Sequence, residues 1–333
     1  MPAGHETNPE LLATSCASAT YCLTVGDNYD GSRRLAEIWN GSKWAIDVTP
    51  APAGASETGF AGVDCVSATF CMIVGDTDQV ALAERWDGHA WTVQSPPSHT
   101  KNAALDGVTC LSSTWCLAVG FDGGKVLADV WNGTQWTITA AQSPVSGDFL
   151  NGVTCTSTTN CIAVGSTGGG NLSSASLLIE RWNGTTWHVE ANNKAGDSSA
   201  SLQGVACLSA TNCYAVGLHS PAEYTPVRLV EHWNGSTWKP VTALGPQPPS
   251  GWSIFEAISC AGGQCVAAGA SDYERMPFVD RVATGAWTVQ TTPTLANGGG
   301  FFGVSCVSAT ACVASGFANG GSTITQPLIE RSS

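Results

Sequence analysis

Charged residues are scarce in this chain, and cations are the scarcer kind. Asp, Glu, Lys and Arg make up 12% of the 333 residues, and 26 acidic side chains outnumber 13 Lys and Arg, giving a net charge of −13. This balance excludes nucleic acid and anionic membrane surfaces as partners, because both require a basic face. No stretch approaches the roughly 18 apolar residues of a membrane span. Residues 1–9 have no apolar core, so we expect a mature or trimmed chain without a signal peptide.

Motifs for catalysis and for metal binding are also lacking. The six histidines form no His-x-His or His-Glu-x-x-His pair, and Gly-x-Ser-x-Gly does not occur. Residues 298–303 match Gly-x-Gly-x-x-Gly, but a strand pattern follows them where a dinucleotide site needs a helix. No EF-hand pattern is present. We therefore expect no cofactor and no metal ion, and the sequence leaves open whether the protein is an enzyme.

Cysteine, in contrast, follows a regular pattern. All 14 cysteines fall into seven close pairs, whose first members lie 45 to 53 residues apart, about the length of a four-stranded propeller blade. The pairs are Cys16/Cys22, Cys65/Cys71, Cys110/Cys116, Cys155/Cys161, Cys207/Cys213, Cys260/Cys265 and Cys306/Cys312. Zinc is the competing interpretation, but its ligands are usually Cys-x2-4-Cys with four per site. Because no cysteine is left over, we predict seven disulfides, each within one repeat, and a secreted or extracellular protein.

Residues 149–190 illustrate one repeat. A short strand that ends at Cys155 is followed by a polar turn and a second strand from Cys161. A third strand ends at Trp182, an Asn-Gly turn follows, and a fourth strand begins at Trp187. Asn-Gly between two β-rich segments predicts a hairpin, on the ground that both residues tolerate positive φ. The cysteine pair would join the first hairpin, and the tryptophan pair would pack across the second.

Seven such repeats without a helical segment predict an all-β, seven-bladed β-propeller of four-stranded antiparallel blades in a single domain over residues 1–333. The blades are expected at approximately residues 11–49, 59–95, 104–140, 149–191, 201–243, 254–291 and 300–333. The seventh repeat stops at Ser333, before its fourth strand. We therefore expect residues 1–9 to supply that strand and close the ring, so that their deletion lowers the melting temperature by several degrees.

The Cys-x5-Cys and Trp-Asn-Gly-x-x-Trp units resemble the blade repeats of secreted β-propellers rich in Trp and Gly, and the resemblance covers the whole chain at the level of architecture. The Gly-His and Trp-Asp signatures of WD40 repeats do not recur from repeat to repeat. The Asp-box of sialidase-like propellers, Ser-x-Asp-x-Gly-x-x-Trp, is matched at Gly184 and Trp187, but Glu180 and Trp182 occupy its Ser and Asp positions. The resemblance thus implies the propeller fold and does not extend to sialidase activity.

An acidic residue recurs in the third strand of every repeat. The seven are Glu37, Glu84, Asp129, Glu180, Glu231, Asp280 and Glu330. A residue present in all blades is typical of the packing and hydrogen bonding of the repeat itself. We therefore expect these carboxyl groups to be structural and to lie away from any single functional site.

One position of the first strand differs from blade to blade, four residues before the first cysteine. It is Leu12, Ala61, Asp106, Asn151, Gln203, Glu256 and Phe302 in turn. The next residue is always Gly or Ala, which suits strands that crowd around an axis. We expect the variable side chain to open towards the central channel on the face that carries the interblade loops, with a polar arc from the third to the sixth blade.

The loops on this face do not repeat, and loops on a rigid scaffold are where binding residues concentrate. Aromatic and charged residues are concentrated in the fifth and sixth repeats, so we predict a ligand site on the interblade-loop face near those blades. The predicted site residues are Trp252, Glu256, Tyr224, Asp272, Tyr273, Arg275, Asp106, Asn151 and Gln203.

Three functions are compatible with these residues. Aromatic faces beside carboxylates and amides favour a secreted binding module for a polar ligand, a glycan above all. The second is a hydrolase or lyase that uses Glu256 and Asp106 as a carboxylate pair at the channel mouth. The third is an adhesive or structural domain that binds another protein. In each case we expect a monomer.

Overall fold

The structure is a computed structural model that describes residues 9–28, 34–50, 52, 54–56, 58–97, 100–168, 175–190, 199–220, 225–242, 244, 251–271, 276–283, 285–292, 294–320 and 325–332. These residues form 27 β-strands in seven antiparallel sheets, and none of them lies in a helix. The predicted seven-bladed propeller is confirmed. No membrane-spanning helix occurs in the described part of the chain.

Each blade uses its strands in chain order, from the channel outwards. The first strands are β1 (Pro9–Ser18), β5 (Thr58–Ser67), β9 (Ala103–Ser112), β13 (Phe149–Ser157), β17 (Ser199–Ser209), β21 (Ser253–Ala261) and β25 (Gly299–Cys306). The second strands are β2 (Tyr21–Asn28), β6 (Phe70–Thr77), β10 (Trp115–Asp122), β14 (Asn160–Thr167), β18 (Asn212–Ser220), β22 (Gln264–Ser271) and β26 (Cys312–Asn319). The third strands are β3 (Arg34–Trp39), β7 (Val80–Trp86), β11 (Lys125–Trp131), β15 (Ser176–Trp182), β19 (Val227–Trp233), β23 (Met276–Val282) and β27 (Thr325–Ser332). The fourth strands are β4 (Trp44–Ile46), β8 (Trp91–Gln94), β12 (Trp136–Ile138), β16 (Trp187–Val189), β20 (Trp238–Pro240) and β24 (Trp287–Gln290).

The seven first strands surround the axis, and each contacts the first strand of the next blade, with β25 contacting β1. A polar link recurs at these contacts, between the first cysteine of one blade and the residue before the first cysteine of the preceding blade. The Cys65 backbone N–H donates to Ser15 Oγ (3.0 Å), and the Cys110 N–H donates to Asp64 Oδ2 (2.7 Å). Cys16 N–H donates in the same way to Ser305 Oγ (2.9 Å), which joins the first blade to the seventh.

The seven predicted disulfides are confirmed, and no cysteine is free. In each blade the two cysteines lie directly opposite each other on the first and second strands, as Cys155 and Cys161 do on β13 and β14. Every bridge therefore joins neighbouring strands of one blade. Seven disulfides with no free thiol indicate an oxidising environment.

The second cysteine of each bridge lies deep in the core. In the first six blades its exposure is 0–1%, and the residues are Cys22, Cys71, Cys116, Cys161, Cys213 and Cys265. Five of the six, all except Cys22, belong to the apolar clusters of the interior. Their predicted role as disulfide partners is confirmed, but they are not accessible site residues, because neighbouring side chains cover the second strand. These bridges are structural, because the sulfur of the second cysteine is buried and out of reach of a ligand.

The tryptophan hairpins form as predicted, but the expected positive φ occurs at only one of the two turn residues. Trp182 and Trp187 face each other across β15 and β16, with ring centroids 5.5 Å apart. Of Asn183 and Gly184, only Gly184 has positive φ, at 97°. Asn183 contributes through its side chain, since Asn183 Oδ1 accepts the backbone N–H groups of residues 185 and 186 at 3.0 and 2.9 Å. The turn is thus an Asx-type turn with a left-handed glycine at its central position.

The third-strand carboxyl groups are structural, as expected. Six of the seven are fully buried at 0% exposure, and the exception is Glu330, which is half-buried. They face the neighbouring blade: Glu84 meets Arg34 at 3.4 Å, and Asp280 meets Arg228 at 3.2 Å. An apolar residue of the fourth strand lies opposite most of these carboxyls, as Val189 lies opposite Glu180, and shields the group from water.

The seventh blade has three strands among the described residues, β25, β26 and β27. The expectation that residues 1–9 supply the fourth falls mostly outside the described residues, and Pro9 itself begins β1. In the other blades, 8 to 12 residues connect a fourth strand to the next first strand, and eight residues precede β1. Ring closure by the N-terminus therefore stays a prediction that requires a connection shorter than any described one.

Candidate functional site

The variable residues of the first strands are β-bulges. In every blade the pairing of first and second strands skips the variable residue: Leu12, Ala61, Asp106, Asn151, Gln203, Glu256 or Phe302. A bulge re-aims a side chain out of the ladder. Six of these side chains line a channel of about 180 Å³ at the propeller axis. Its wall is apolar at the seventh, first and second blades and carries polar bulge residues at the third, fifth and sixth.

Two small residues per blade make this arrangement possible: a Gly or Ala directly after the bulge, and a glycine of the second strand. The residue after the bulge touches the next blade: a Cβ at Gly107 would lie 2.8 Å from the Asn151 carbonyl oxygen. A glycine of the second strand faces the bulge from within the blade, and a Cβ at Gly165 would lie 2.1 Å from the Phe149 carbonyl oxygen. The backbone itself therefore fills the space, and the bulged side chain is left to face the channel.

A pocket of about 420 Å³ opens on the interblade-loop face between the third and fourth blades. Phe121, at the end of β10, and Phe149, at the start of β13, line it with half-buried rings. The bulge residues Asp106 and Asn151 contribute the polar groups. The remaining lining residues are Asn102, Gly124, Gly147 and Asp148.

Hydrogen bonds hold the pocket walls in place. Asp148 is 1% exposed and accepts the backbone N–H of Val145 (2.9 Å) and of Gly168 (3.3 Å). The Gly147 N–H donates to the Gly124 carbonyl oxygen at 2.7 Å, which ties together two loops of the third blade. The Asn151 amide nitrogen donates to the Leu202 carbonyl oxygen (2.8 Å) and to Gln203 Oε1 (2.7 Å). Both amide hydrogens are used, so Oδ1 is the group that Asn151 offers to a ligand.

Asp106 has an unusual protonation equilibrium. Desolvation in the confined channel mouth, with a smaller contribution from the Asp76 carboxylate, raises the pKa of Asp106 to about 7. At neutral pH this group is present in both its protonated and its ionised form. It can therefore donate or accept a hydrogen bond, which suits a hydroxyl group.

The structure brings together only part of the predicted site. Asp106 and Asn151 share the pocket, whereas Gln203 and Glu256 line the channel. Trp252 is half-buried in the segment before β21. The other predicted residues, Tyr224, Asp272, Tyr273 and Arg275, lie outside the described residues, so the prediction of a site near the fifth and sixth blades remains open.

Sequence reasoning missed Phe121, Phe149 and Asn102. The two phenylalanines lie within strands and match the apolar pattern of core residues, so the sequence alone does not separate them from the core. Asn102 has a φ of 90°, which is unusual for a residue other than glycine, but only the structure shows it. Among the described residues, no group of three or more His, Cys, Asp or Glu side chains is placed to hold a metal ion.

The seven antiparallel blades place the chain in the class of seven-bladed β-propellers. No protein-family profile matches it, and no curated protein matches it in sequence. Solved structures do match its fold. A structure of YCF48 bound to D1 peptide is 12% identical, with a TM-score of 0.63 over 98% of this chain and 92% of that one.

Two further solved structures match the fold. The structure of U3-55K is 11% identical, with a TM-score of 0.64 over 98% of this chain and 96% of that one. The GH74 xyloglucanase from Xanthomonas campestris is 11% identical, with a TM-score of 0.62 over 96% of this chain and 54% of that one. At such low identity these matches show the propeller fold alone, and function has to be argued from the site.

Proposed function

We propose that this protein is a secreted binding module for a polar ligand, a glycan, and that the ligand binds in the pocket between the third and fourth blades. The observation that carries the proposal is the combination of two half-buried aromatic rings, Phe121 and Phe149, with the carboxyl of Asp106 and the free amide oxygen of Asn151. Aromatic faces pack on the C–H faces of a sugar, and fixed polar groups bind its hydroxyls.

The position of the polar groups supports binding in one orientation. Both are on β-bulges of rigid inner strands, and the loops around them are hydrogen-bonded to each other. Groups held in this way lose little conformational freedom when a ligand binds. The net charge of −13 favours a neutral glycan over an anionic one. The YCF48 structure, described as bound to D1 peptide, supports a binding role for a propeller and leaves the ligand open.

A glycan array followed by calorimetry on the strongest hit tests the proposal. We expect Phe149→Ala to weaken binding about tenfold or more, because a truncated aromatic loses its stacking contact. Above pH 8, where Asp106 is ionised, Asp106→Asn should bind the glycan more weakly than the wild type does, because the carboxylate accepts a hydrogen bond from the sugar. Leu111→Ala is the matched control, since Leu111 is an exposed apolar residue outside the pocket.

The variants also separate the pocket from the sites predicted elsewhere. Loss of binding in Trp252→Ala with normal binding in Phe149→Ala would move the site towards the fifth and sixth blades. Equal binding by all variants and the wild type would refute a glycan site on this face. Melting temperatures measured in parallel show whether a variant is folded.

The pKa of Asp106 favours a second candidate, a hydrolase or lyase. A carboxyl group with a pKa of about 7 can give up a proton at neutral pH, as a general acid does. Glu256 lines the same channel and is the other carboxyl of the predicted pair. Incubating the array hit with the protein and measuring its cleavage distinguishes the two functions. Turnover that is lost in both Asp106→Asn and Glu256→Gln would identify an enzyme.

A further inference from the structure

A second cavity, of about 380 Å³, lies between the sixth and seventh blades. Phe301 and Val304 form part of its apolar wall, and both are buried. Gln290, Glu330 and Arg331 are among its polar lining residues. The cavity shares no lining residue with the pocket between the third and fourth blades.

A tryptophan occupies the equivalent place in the second to sixth blades. The second tryptophan of each hairpin there is 1–8% exposed and packs against the preceding blade. Two of them donate the indole N–H to that blade: Trp91 Nε1 to Asp47 Oδ2 (2.7 Å) and Trp187 Nε1 to Thr139 Oγ1 (3.0 Å). Gln290 corresponds to Asp47 and Thr139, since each lies three residues after the second tryptophan of its hairpin. Gln290 lines the cavity.

Residues of the seventh blade are more exposed than their counterparts, as expected where no tryptophan covers them. The second cysteine is 0–1% exposed in the first six blades, whereas Cys312 is 8% exposed. Glu330 is half-buried, whereas its six counterparts are fully buried. Trp44 of the adjoining first blade is also half-exposed. In the described part of the chain, β27 pairs with β26 alone.

We propose that β27 and this cavity bind an extended segment of another protein, which adds to the sheet as a fourth strand and inserts a tryptophan into the cavity. In the other blades the second tryptophan lies opposite the last aromatic of the third strand, as Trp187 lies opposite Trp182. Ser332 holds that position in β27, because it pairs with Cys312 as Trp182 pairs with Cys161. The partner's tryptophan lies opposite Ser332, and its indole N–H donates to Gln290.

A second feature specifies the partner's chemistry. Arg181 Nε donates to Glu190 Oε1 at 2.7 Å, and Glu190 lies three residues after Trp187. Arg331 corresponds to Arg181: each follows the third-strand carboxyl, and each guanidinium lies over a tryptophan ring, at 4.2 and 4.4 Å from its centroid. Arg331 is thus held where it would bind a carboxylate. The geometry selects strands with the pattern Trp-x-x-Glu.

The chain provides its own probe for this site. A capped peptide with the sequence of residues 184–190, Gly-Thr-Thr-Trp-His-Val-Glu, carries the pattern. Titrated into the full chain in a calorimeter, it should bind at one site, and amide hydrogen exchange in β27 should slow in the complex. The same peptide with alanine in place of tryptophan should bind about tenfold or more weakly.

A double-mutant cycle tests the acidic contact. Arg331→Gln should weaken binding of the peptide that ends in Glu and leave unchanged the binding of a peptide that ends in Gln. Arg281→Gln is the control, since Arg281 also lines the cavity but lies on β23, which already pairs with its fourth strand β24. Absence of saturable binding, or binding without protection of β27, would overturn the proposal. Binding seen only after deletion of residues 1–8 would assign the site to the N-terminus of this chain and overturn it as well.

Discussion

Gly217→Ala should destabilise the folded protein by about 3 kcal/mol or more, which lowers its melting temperature by roughly 5–10 °C. A Cβ at this position would lie 2.1 Å from the Ser201 carbonyl oxygen and 2.8 Å from the Leu202 Cα. Both are backbone atoms of the strand that carries the Gln203 bulge, so neither can move without shifting the strand. Thermal unfolding followed by circular dichroism measures the change.

Gly204→Ala, in the same blade, is the matched control. Its Cβ would lie 3.3 Å or more from any other atom, and alanine already occupies the equivalent position in the first and sixth blades, as Ala13 and Ala257. We expect a change within about 1 kcal/mol. Equal melting temperatures for the two variants would contradict the close packing of Gly217 against the bulged strand.

The second large effect is a loss of stability as the pH rises from 5 to 8. Burial raises the pKa of Glu37, Glu84, Glu180 and Glu231 to about 7, from a usual value of 4.5. Between these values the folded state binds more protons than the unfolded state, so the free energy of unfolding falls with pH. The loss begins near pH 4.5, is complete above pH 7 and amounts to at most about 3 kcal/mol per carboxyl.

Glu231→Gln tests the origin of this pH dependence. In the described part of the structure, neither carboxyl oxygen of Glu231 has a hydrogen-bond partner, so a neutral side chain of the same shape loses no contact. The variant should be more stable than the wild type at pH 8 and nearly equal to it at pH 5. Glu190→Gln, which removes a half-buried carboxylate, should leave the pH dependence in place. A melting temperature that rises from pH 5 to 8 would contradict the assignment.

Regular spacing in the sequence was enough to predict the fold. The cysteine and tryptophan pairs mark two hairpins in each repeat, and both follow from local pairing between adjacent strands. The placement of the variable residue was also predictable, because the small residue after it requires a close approach between blades. The bulge that explains this placement was not, since strand register depends on contacts that a single repeat does not reveal.

The candidate site was harder to predict for a physical reason. Asp106 and Asn151 were found because they break the repeat. Phe121 and Phe149 do not stand out, because an apolar residue in a strand usually belongs to the core. Their exposure results from the loop around Gly147, which bonds to Gly124 and leaves a pocket above the bulges. That loop geometry depends on tertiary contacts between blades.

The local pairing of the cysteines has a consequence for oxidative folding. Each bridge closes a loop of five or six residues within one hairpin, and no bridge joins two blades. Closing so short a loop is entropically cheaper than joining cysteines of different repeats about 45 residues away, so each native pair outcompetes its alternatives. In an oxidising environment each hairpin can oxidise by itself, before the propeller has assembled. Correct pairing would therefore need little rearrangement by a disulfide isomerase.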